Sequence, residues 1–431
     1  MLQRASVKTL ASVFLSASMS LPTVSSDQST ASSPIPLIHW TEDGVARSAL
    51  WRSERGALPP KRVALADDTL SADSAYRLVC EGTGLLWRGD FQNARQMVQA
   101  LARRVDKPPK ASKQARVERK KAAHDEAEGV PAGQAFHLHR QAQSQRARVL
   151  GMVLIEFGAD YRIDLRRAPD AKQACAEAWG AADESSGASV ASLRELLGVV
   201  SAHEWRKKGV EIPALGKAPN NRIHPHYGVF SPVRGEYVDL VATAPLPTRP
   251  PSKFVAFDIG TGTGVLAAVL ALRDIDQIVA TDQDPRALAC AKENLQRLHL
   301  PNPVKVMQAD LFPEGLASVI VCNPPWLPAR PGSPLEGAVY DEGSRMLLGF
   351  INGLAAHLAP GGEGWLILSD FAEHLGLRTR AELLDAIKAG GLKVLSRMDV
   401  KPEHAKVLEA TDPLHVARVA EVTSLWRLGA I

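Results

Sequence analysis

The stretch Phe257-Asp258-Ile259-Gly260-Thr261-Gly262-Thr263-Gly264 decides the fold. An apolar run from Phe254 leads into it and a second, Val265 to Arg273, leads out, so it reads as a buried strand turning through a glycine loop into a helix. Glycines there let a ligand approach the backbone without Cβ clashes, and in parallel α/β sheets ligands sit at the carboxyl ends of strands. A dinucleotide fingerprint, G-x-G-x-x-G, would need glycine at 265, which is Val265. The pattern is GxGxG preceded by an acid. Asp258 at the loop mouth suits a cationic amino acid moiety and would repel a pyrophosphate. Taken alone, the glycines also fit an ordinary tight strand-to-helix turn.

Strands and helices alternate from this point onward, which predicts an open, mostly parallel sheet with crossover helices. Strands are expected at Phe254–Asp258, Gln277–Asp282, Val304–Met307, Ser318–Cys322 and Gly364–Ser369, with helices at Val265–Arg273, Pro285–Leu298, Ser344–Leu358 and Arg380–Ala389. The helix from Pro285 opens with proline and carries Leu288, Ala291, Leu295 and Leu298 on one face. The last runs, Leu392–Val400 and Val422–Leu428, lack a well-patterned crossover helix and are expected to pair antiparallel at the edge. The fold class is therefore α/β, a doubly wound Rossmann-like sheet, with a smaller α+β region before it.

Acids close three successive strands. Asp282 can accept both hydroxyl protons of a ribose. Its alternative role, a helix N-cap, falls better to Asp284, directly before Pro285. Asp310 can accept from an adenine amine while Leu311 covers the ring. A lone strand-end Asp is often a plain turn residue, but three in register with a glycine loop argue for a ligand. The fourth strand ends in Asn323-Pro324-Pro325-Trp326. Two prolines fix the backbone, leaving the Asn323 side-chain carbonyl and the Pro324 main-chain carbonyl as rigid acceptors for both protons of a planar NH2 group. Trp326 offers a flat face for stacking.

From Tyr227 to Ile431 these residues resemble the class I methyltransferases that carry an (N/D)PP(Y/F/W) motif. That group includes adenine-N6 DNA methylases, guanine- and adenine-modifying RNA methylases and release-factor glutamine methyltransferases. The resemblance extends to Tyr227-Gly228-Val229-Phe230-Ser231-Pro232, which looks like the segment lying over the cofactor in these enzymes. It implies S-adenosyl-L-methionine as cofactor, with Asp258, Gly260, Gly262 and Gly264 around its methionine part, Asp282 at the ribose and Asp310 and Leu311 at the adenine. Asn323, Pro324, Pro325 and Trp326 would then hold the acceptor nitrogen, with Asn323 bordering the cofactor. It also implies an antiparallel last strand. Two departures bear on the acceptor: Trp326 stands where the glutamine methyltransferases have tyrosine, and the N-terminal region does not read as their helical bundle. The expectation is N-methylation of an RNA base, rRNA or tRNA. The alternatives are a release-factor glutamine and a non-catalytic S-adenosylmethionine-binding module.

Upstream, three regions are expected: a disordered leader at 1–35, an α+β domain at 36–220 and the catalytic domain at 221–431. The 431 residues are too many for one ordinary domain, and 45% hydrophobic and 23% charged residues are globular values. Arg4 and Lys8 before Leu10–Leu21 imitate a secretory signal poorly, because Ser12, Ser16, Ser18 and Ser20 interrupt the apolar run. The leader reads as disordered or an over-extended start, with a Ser-rich organellar transit peptide an open alternative. Cys80, Cys175, Cys290 and Cys322 form no CxxC pair, so neither a disulfide framework nor a metal site is expected, and a reducing cytoplasm is the simplest setting.

Net charge is +4, yet Arg103–Lys121 alone holds nine Arg and Lys against Asp106 and Glu118, a net of +7. Its readings are a solvated linker or exposed helix, or a footprint for RNA phosphates that would serve substrate recognition; the other partner class is a translation protein. Phe91, Ala94, Met97, Val98 and Leu101 predict a helix before it, and helices are expected at Ala171–Trp179 and Ser192–Lys207. Val149–Phe157 and Tyr161–Leu165 read as strands around a turn. His137 with His139, and His224 with His226, alternate at strand-like spacing without completing a metal site. Tyr340, Asp341 and Glu342 read either as acceptor-pocket residues or as a plain loop.

Overall fold

The computed structural model describes residues 36–106, 132–333, 335–403, 409 and 412–431. The leader and the greater part of the basic segment lie outside the described residues.

The C-terminal sheet has seven strands: β9 (Val255–Ile259), β10 (Gln277–Asp282), β11 (Val304–Gln308), β12 (Ala317–Cys322), β13 (Leu358–Ser369), β14 (Leu392–Val400) and β15 (Thr423–Ala430). Their order is β11-β10-β9-β12-β13-β15-β14. β11, β10, β9, β12 and β13 pair in parallel, whereas β15 runs antiparallel to both β13 and β14. The sheet reverses its winding between β9 and β12, and ligand crevices in open α/β sheets lie at such a switch point.

Helices cover both faces, which is why the central strands are mostly apolar. On one side Ala256, Ile278, Val319 and Ile367 pack against α6 (Glu236–Thr243), α7 (Val265–Ala271) and α8 (Pro285–Arg297). All seven residues of α7 are buried, as its unbroken apolar sequence requires. On the other side Phe257, Ile320, Cys322 and Leu366 pack against α9 (Arg345–His357) and α11 (Arg380–Ala389), with the short α10 (Phe371–His374) between these helices in the chain. Cys290 and Cys322 are core residues. Thr379 and Glu382 close α11 with a reciprocal capping box.

The N-terminal sheet has six strands, β1 (Leu37–Glu42), β2 (Val45–Arg52), β3 (Arg62–Ala66), β4 (Thr83–Trp87), β5 (Val153–Phe157) and β6 (Ser189–Ser192), in the order β1-β2-β6-β5-β4-β3, and a separate antiparallel pair, β7 (Val210–Glu211) and β8 (Arg222–Ile223), follows it in the chain. Five helices accompany it: α1 (Ala72–Cys80), α2 (Phe91–Val105), α3 (Ala132–Leu150), α4 (Lys172–Trp179) and α5 (Leu193–Lys208). Phe91, Ala94, Met97 and Leu101 are the buried face of α2, as their spacing predicts. Ser192 caps α5 by accepting the Glu195 N–H at 3.1 Å, worth about 1 kcal/mol.

Two N-terminal expectations are overturned. Val149 and Leu150 end α3, and β5 begins only at Val153, because Gly151 and Met152 form a turn between them. Tyr161–Leu165 is a loop: Tyr161 adopts φ 62° and its ring lies edge-on to Trp179. Its apolar alternation reflects packing of that loop, not a ladder. His137 and His139 lie within α3, so their spacing is not that of a strand.

Candidate functional site

At the end of β9 the glycine loop turns through φ 71°, 55° and 81° at Gly260, Gly262 and Gly264. Each is a left-handed conformation that disfavours a side chain. A Cβ at Gly264 would lie 3.2 Å from the Ala291 Cα, so this glycine admits the close approach of α8, and one at Gly260 would run into Met346 Cε. Among the described residues, nothing lies within 4 Å of a Cβ placed on Gly262. That side of the loop is an open cradle.

Asp258 is fully buried behind the loop and does not stand at its mouth. Its Oδ2 accepts the Thr261 hydroxyl at 2.6 Å and the Ala267 N–H at 3.0 Å. Burial, reinforced by the charge of Asp282, lifts its pKa to about 6. Asp282, at the end of β10, accepts the Gly262 N–H at 3.0 Å through Oδ2 and the Asp284 N–H at 3.0 Å through Oδ1. Burial raises its pKa as well. Asp284 caps α8, accepting the Arg286 N–H at 2.9 Å, as its place before Pro285 predicts.

The three strand-end acids are staggered. Asp258 pairs with Ala280, two residues before Asp282, and Asp282 pairs with Gln308, two residues before Asp310. Asp310 is exposed, its carboxylate bonded by the Gln283 amide and 3.9 Å from Arg345. Leu311 takes φ 71°, its carbonyl accepts the Thr281 hydroxyl at 2.6 Å, and its side chain packs against the α9 core.

β12 delivers Asn323 beside the loop. The Trp326 indole N–H donates to Asn323 Oδ1 at 2.9 Å. This bond fixes which end of the Asn323 amide is the oxygen, and that oxygen retains a further lone pair. The Trp326 ring touches both faces' cores, and the Arg234 guanidinium sits 5.7 Å from its centroid. Asp341 caps the next helix: its Oδ2 accepts the Met346 and Leu347 N–H groups at 2.9 and 3.2 Å. Tyr340 bridges to Leu327, with the Arg140 guanidinium of α3 at 3.9 Å from its ring.

The segment before the sheet is tied down by Asn294, a buried polar residue on the apolar stripe of α8. Its side chain accepts the His224 N–H at 2.8 Å and donates to the Thr263 carbonyl at 3.1 Å. Val229 packs on Ala287 and Cys290. Tyr227–Pro232 is thereby held against the same helix that backs the glycine loop. The amide among leucines is the signal that could have marked Asn294. Arg234 and Glu421, which also border the site, are 187 residues apart and have no local signal. His226 Nε2 donates to Glu293 at 2.7 Å and His224 Nδ1 donates to the Arg206 carbonyl at 2.6 Å. Among the described residues no group of three or more His, Cys, Asp and Glu is arranged to hold a metal, and no helix is long and apolar enough to cross a membrane.

Five cations around the acceptor end are matched by acids, Arg140 and Arg55 by Glu336, Arg380 by Glu373, Arg418 by Asp412 and Arg234 by Glu421, whereas two nitrogens of the Arg378 guanidinium have no hydrogen-bond partner among the described residues. An open glycine cradle, a strand-end carboxylate bonded to its rim and a fixed amide carbonyl next door fit a nucleoside-linked amino acid such as S-adenosylmethionine.

Residues 220–381 match the methyltransferase small domain family. A putative protein N5-glutamine methyltransferase of Methanocaldococcus jannaschii is 30% identical over 163 residues, 36% of this chain and 79% of that protein. The release factor glutamine methyltransferase of Caulobacter vibrioides is 31% identical over 37% of this chain and 59% of its own length. A tRNA1(Val) (adenine(37)-N6)-methyltransferase of Histophilus somni is 38% identical over 16% of this chain and 32% of its own. The chain thus spans little more than half of the Caulobacter relative and a third of the Histophilus one.

Proposed function

This chain belongs to the class I S-adenosylmethionine-dependent methyltransferases, and on that premise we propose that it methylates a planar NH2 nitrogen, the carboxamide of a protein glutamine. The observation that carries the reading is Asn323 Oδ1, oriented by the Trp326 N–H at 2.9 Å at the end of β12.

When bound, S-adenosylmethionine supplies an electrophilic methyl group on sulfur. The chain's own part is to hold and to orient. Asp282 would accept the ribose hydroxyls and the Gly262 side of the loop would lie along the methionine part. Asp258 keeps that loop in shape from beneath. Asp310 and Leu311 would border the adenine. At the acceptor, Asn323 Oδ1 and the Pro324 carbonyl would each accept one N–H of the NH2 group. A carboxamide nitrogen is a poor nucleophile because its lone pair is conjugated, and these two bonds favour the localised lone pair that develops in the transition state. Pro325 stiffens the turn, and the Trp326 ring walls the pocket against water.

In favour of a protein acceptor, Arg140, Arg55, Arg380, Arg418 and Arg234 at the acceptor rim are already held by acids and so offer less free charge to phosphates. The named glutamine methyltransferases among the relatives favour it too. An RNA base is the second reading, supported by the net +7 over Arg103–Lys121.

The test is transfer of tritiated methyl from S-adenosylmethionine into a cell extract by the purified chain. Label that survives nuclease, is lost to protease and is released as methylamine by acid hydrolysis supports the glutamine reading. Label lost to nuclease instead establishes the RNA reading. No label in either fraction, with cofactor bound, returns the chain to the non-catalytic alternative.

A further inference from the structure

Behind Trp326 lies a chain of contacts that the acceptor reading does not use. The Arg234 guanidinium faces the Trp326 ring at 5.7 Å, and its Nη1 donates to Glu421 Oε1 at 3.2 Å. The same oxygen accepts the Ser369 hydroxyl at 2.8 Å, and Ser369 Oγ in turn accepts the Phe371 N–H at 3.0 Å. Ser369 is the last residue of β13, and Glu421 stands two residues before β15. The pair is thus anchored where those strands pair through Ser369 and Thr423.

Glu421 is 2% exposed, yet among the described residues its Oε2 has no hydrogen-bond partner, and neither does the Thr423 hydroxyl. A buried carboxylate kept only for stability is ordinarily saturated, because an unpaired buried oxygen is destabilising. Replacing such a pair by apolar residues is often neutral or stabilising, so its presence beside the site needs another reason. Charge on the Arg234 guanidinium attracts the indole face, and Glu421 holds that guanidinium in place. A ring held from this side keeps its N–H on Asn323 Oδ1.

We propose that Glu421 is a positioning residue for methyl transfer, acting through Arg234 and Trp326 on the carbonyl of Asn323. The inference rests on the reading of Asn323 as the grip on the acceptor nitrogen, and it assigns the C-terminal strand a part in that grip. Glu421 touches neither cofactor nor acceptor.

The experiment follows the indole N–H signals of the eight tryptophans in the 15N-labelled full chain, with Trp326 assigned by its loss in Trp326→Phe. In Glu421→Gln the Trp326 signal should shift, S-adenosylmethionine affinity should stay within about twofold, and kcat for methyl transfer into extract should fall about tenfold with the cofactor KM unchanged. Arg234→Lys should do the same, and the double variant no more than either alone. The control is Glu363→Gln, which breaks the ion pair to Arg427 (2.6 Å) further along β13 and β15 and should leave the signal and transfer unchanged. If Glu421→Gln does not fold, Arg234→Lys carries the same readouts. A Trp326 signal unmoved by Glu421→Gln, or moved equally by Glu363→Gln, overturns the proposal. If wild type transfers no methyl but the signal still shifts, the linkage stands and the acceptor reading is what fails.

Discussion

Asp282 accepts the backbone N–H of Gly262 at 3.0 Å, so the carboxylate that closes β10 also sets the rim of the glycine loop at the end of β9. The two glycines on either side of Thr263 then differ in what they do. Gly262 faces open space, whereas Gly264 faces the Ala291 backbone at 3.2 Å. Gly262→Ala should cost about 1 kcal/mol of stability, the strain of a left-handed alanine. Cofactor affinity should fall roughly tenfold or more, because the methyl fills the cradle. Gly264→Ala should destabilise by about 2–3 kcal/mol, since strain and overpacking against α8 add. Urea unfolding and calorimetry on both variants check the contrast.

At the acceptor end, Asn323→Ala should abolish transfer while leaving cofactor affinity within a few-fold. Trp326→Phe keeps a ring but removes the N–H that orients Asn323 Oδ1. The amide can then flip and present its donor end, so transfer should fall about tenfold, the worth of one such bond. Equal activity of Trp326→Phe and wild type would show that the orienting bond has no part in transfer.

How far the sequence could be read follows the range of the interactions. The strands β9, β10 and β12 are buried on both faces, so each appears as an apolar run ended by its own loop chemistry, and Gly260–Gly264, Asp282 and Asn323–Trp326 were legible beside them. The stagger of Asp258, Asp282 and Asp310 was not, because register depends on pairing. Sequence position alone sets Asp258 at the mouth of the loop; its bonds to Thr261 and Ala267 turn it inward instead. The Leu37–Arg52 hairpin carries a local signal of its own, Asp43-Gly44 between alternating apolar residues. Glu421 had none, since only the closing of β15 on β13 brings it to Arg234.

The α3 helix joins the N-terminal sheet to the acceptor side. Phe136 is buried against Leu327, Phe371 and Leu375, one residue beyond Trp326 and just past the end of β13. Phe136→Ala should cost about 3–5 kcal/mol. If α3 supports the Asn323–Trp326 turn, transfer should fall in the folded variant at unchanged cofactor affinity. Denaturation and calorimetry separate the two effects.

Asp258 makes the stability of the chain depend on pH in a direction opposite to that of a salt-bridged carboxylate. Its pKa, lifted to about 6 by burial and then by the charge of Asp282, lies above the ordinary value near 3.8. The folded state therefore binds this proton more tightly than the unfolded state. Its stabilising contribution is complete below about pH 4, declines as pH rises through 6 and is absent above, a difference on the order of 3 kcal/mol. Both hydrogen bonds to the side chain end on one oxygen, Oδ2, and an asparagine carbonyl in the same place keeps them. Asp258→Asn should therefore match wild type near pH 4 and exceed it in stability at pH 7. The gap opens between those values as the buried carboxylate of the wild type ionises. Denaturant unfolding of the two proteins across pH 4 to 7.5 measures it, and parallel curves over that range would show that the burial cost of Asp258 has been misjudged.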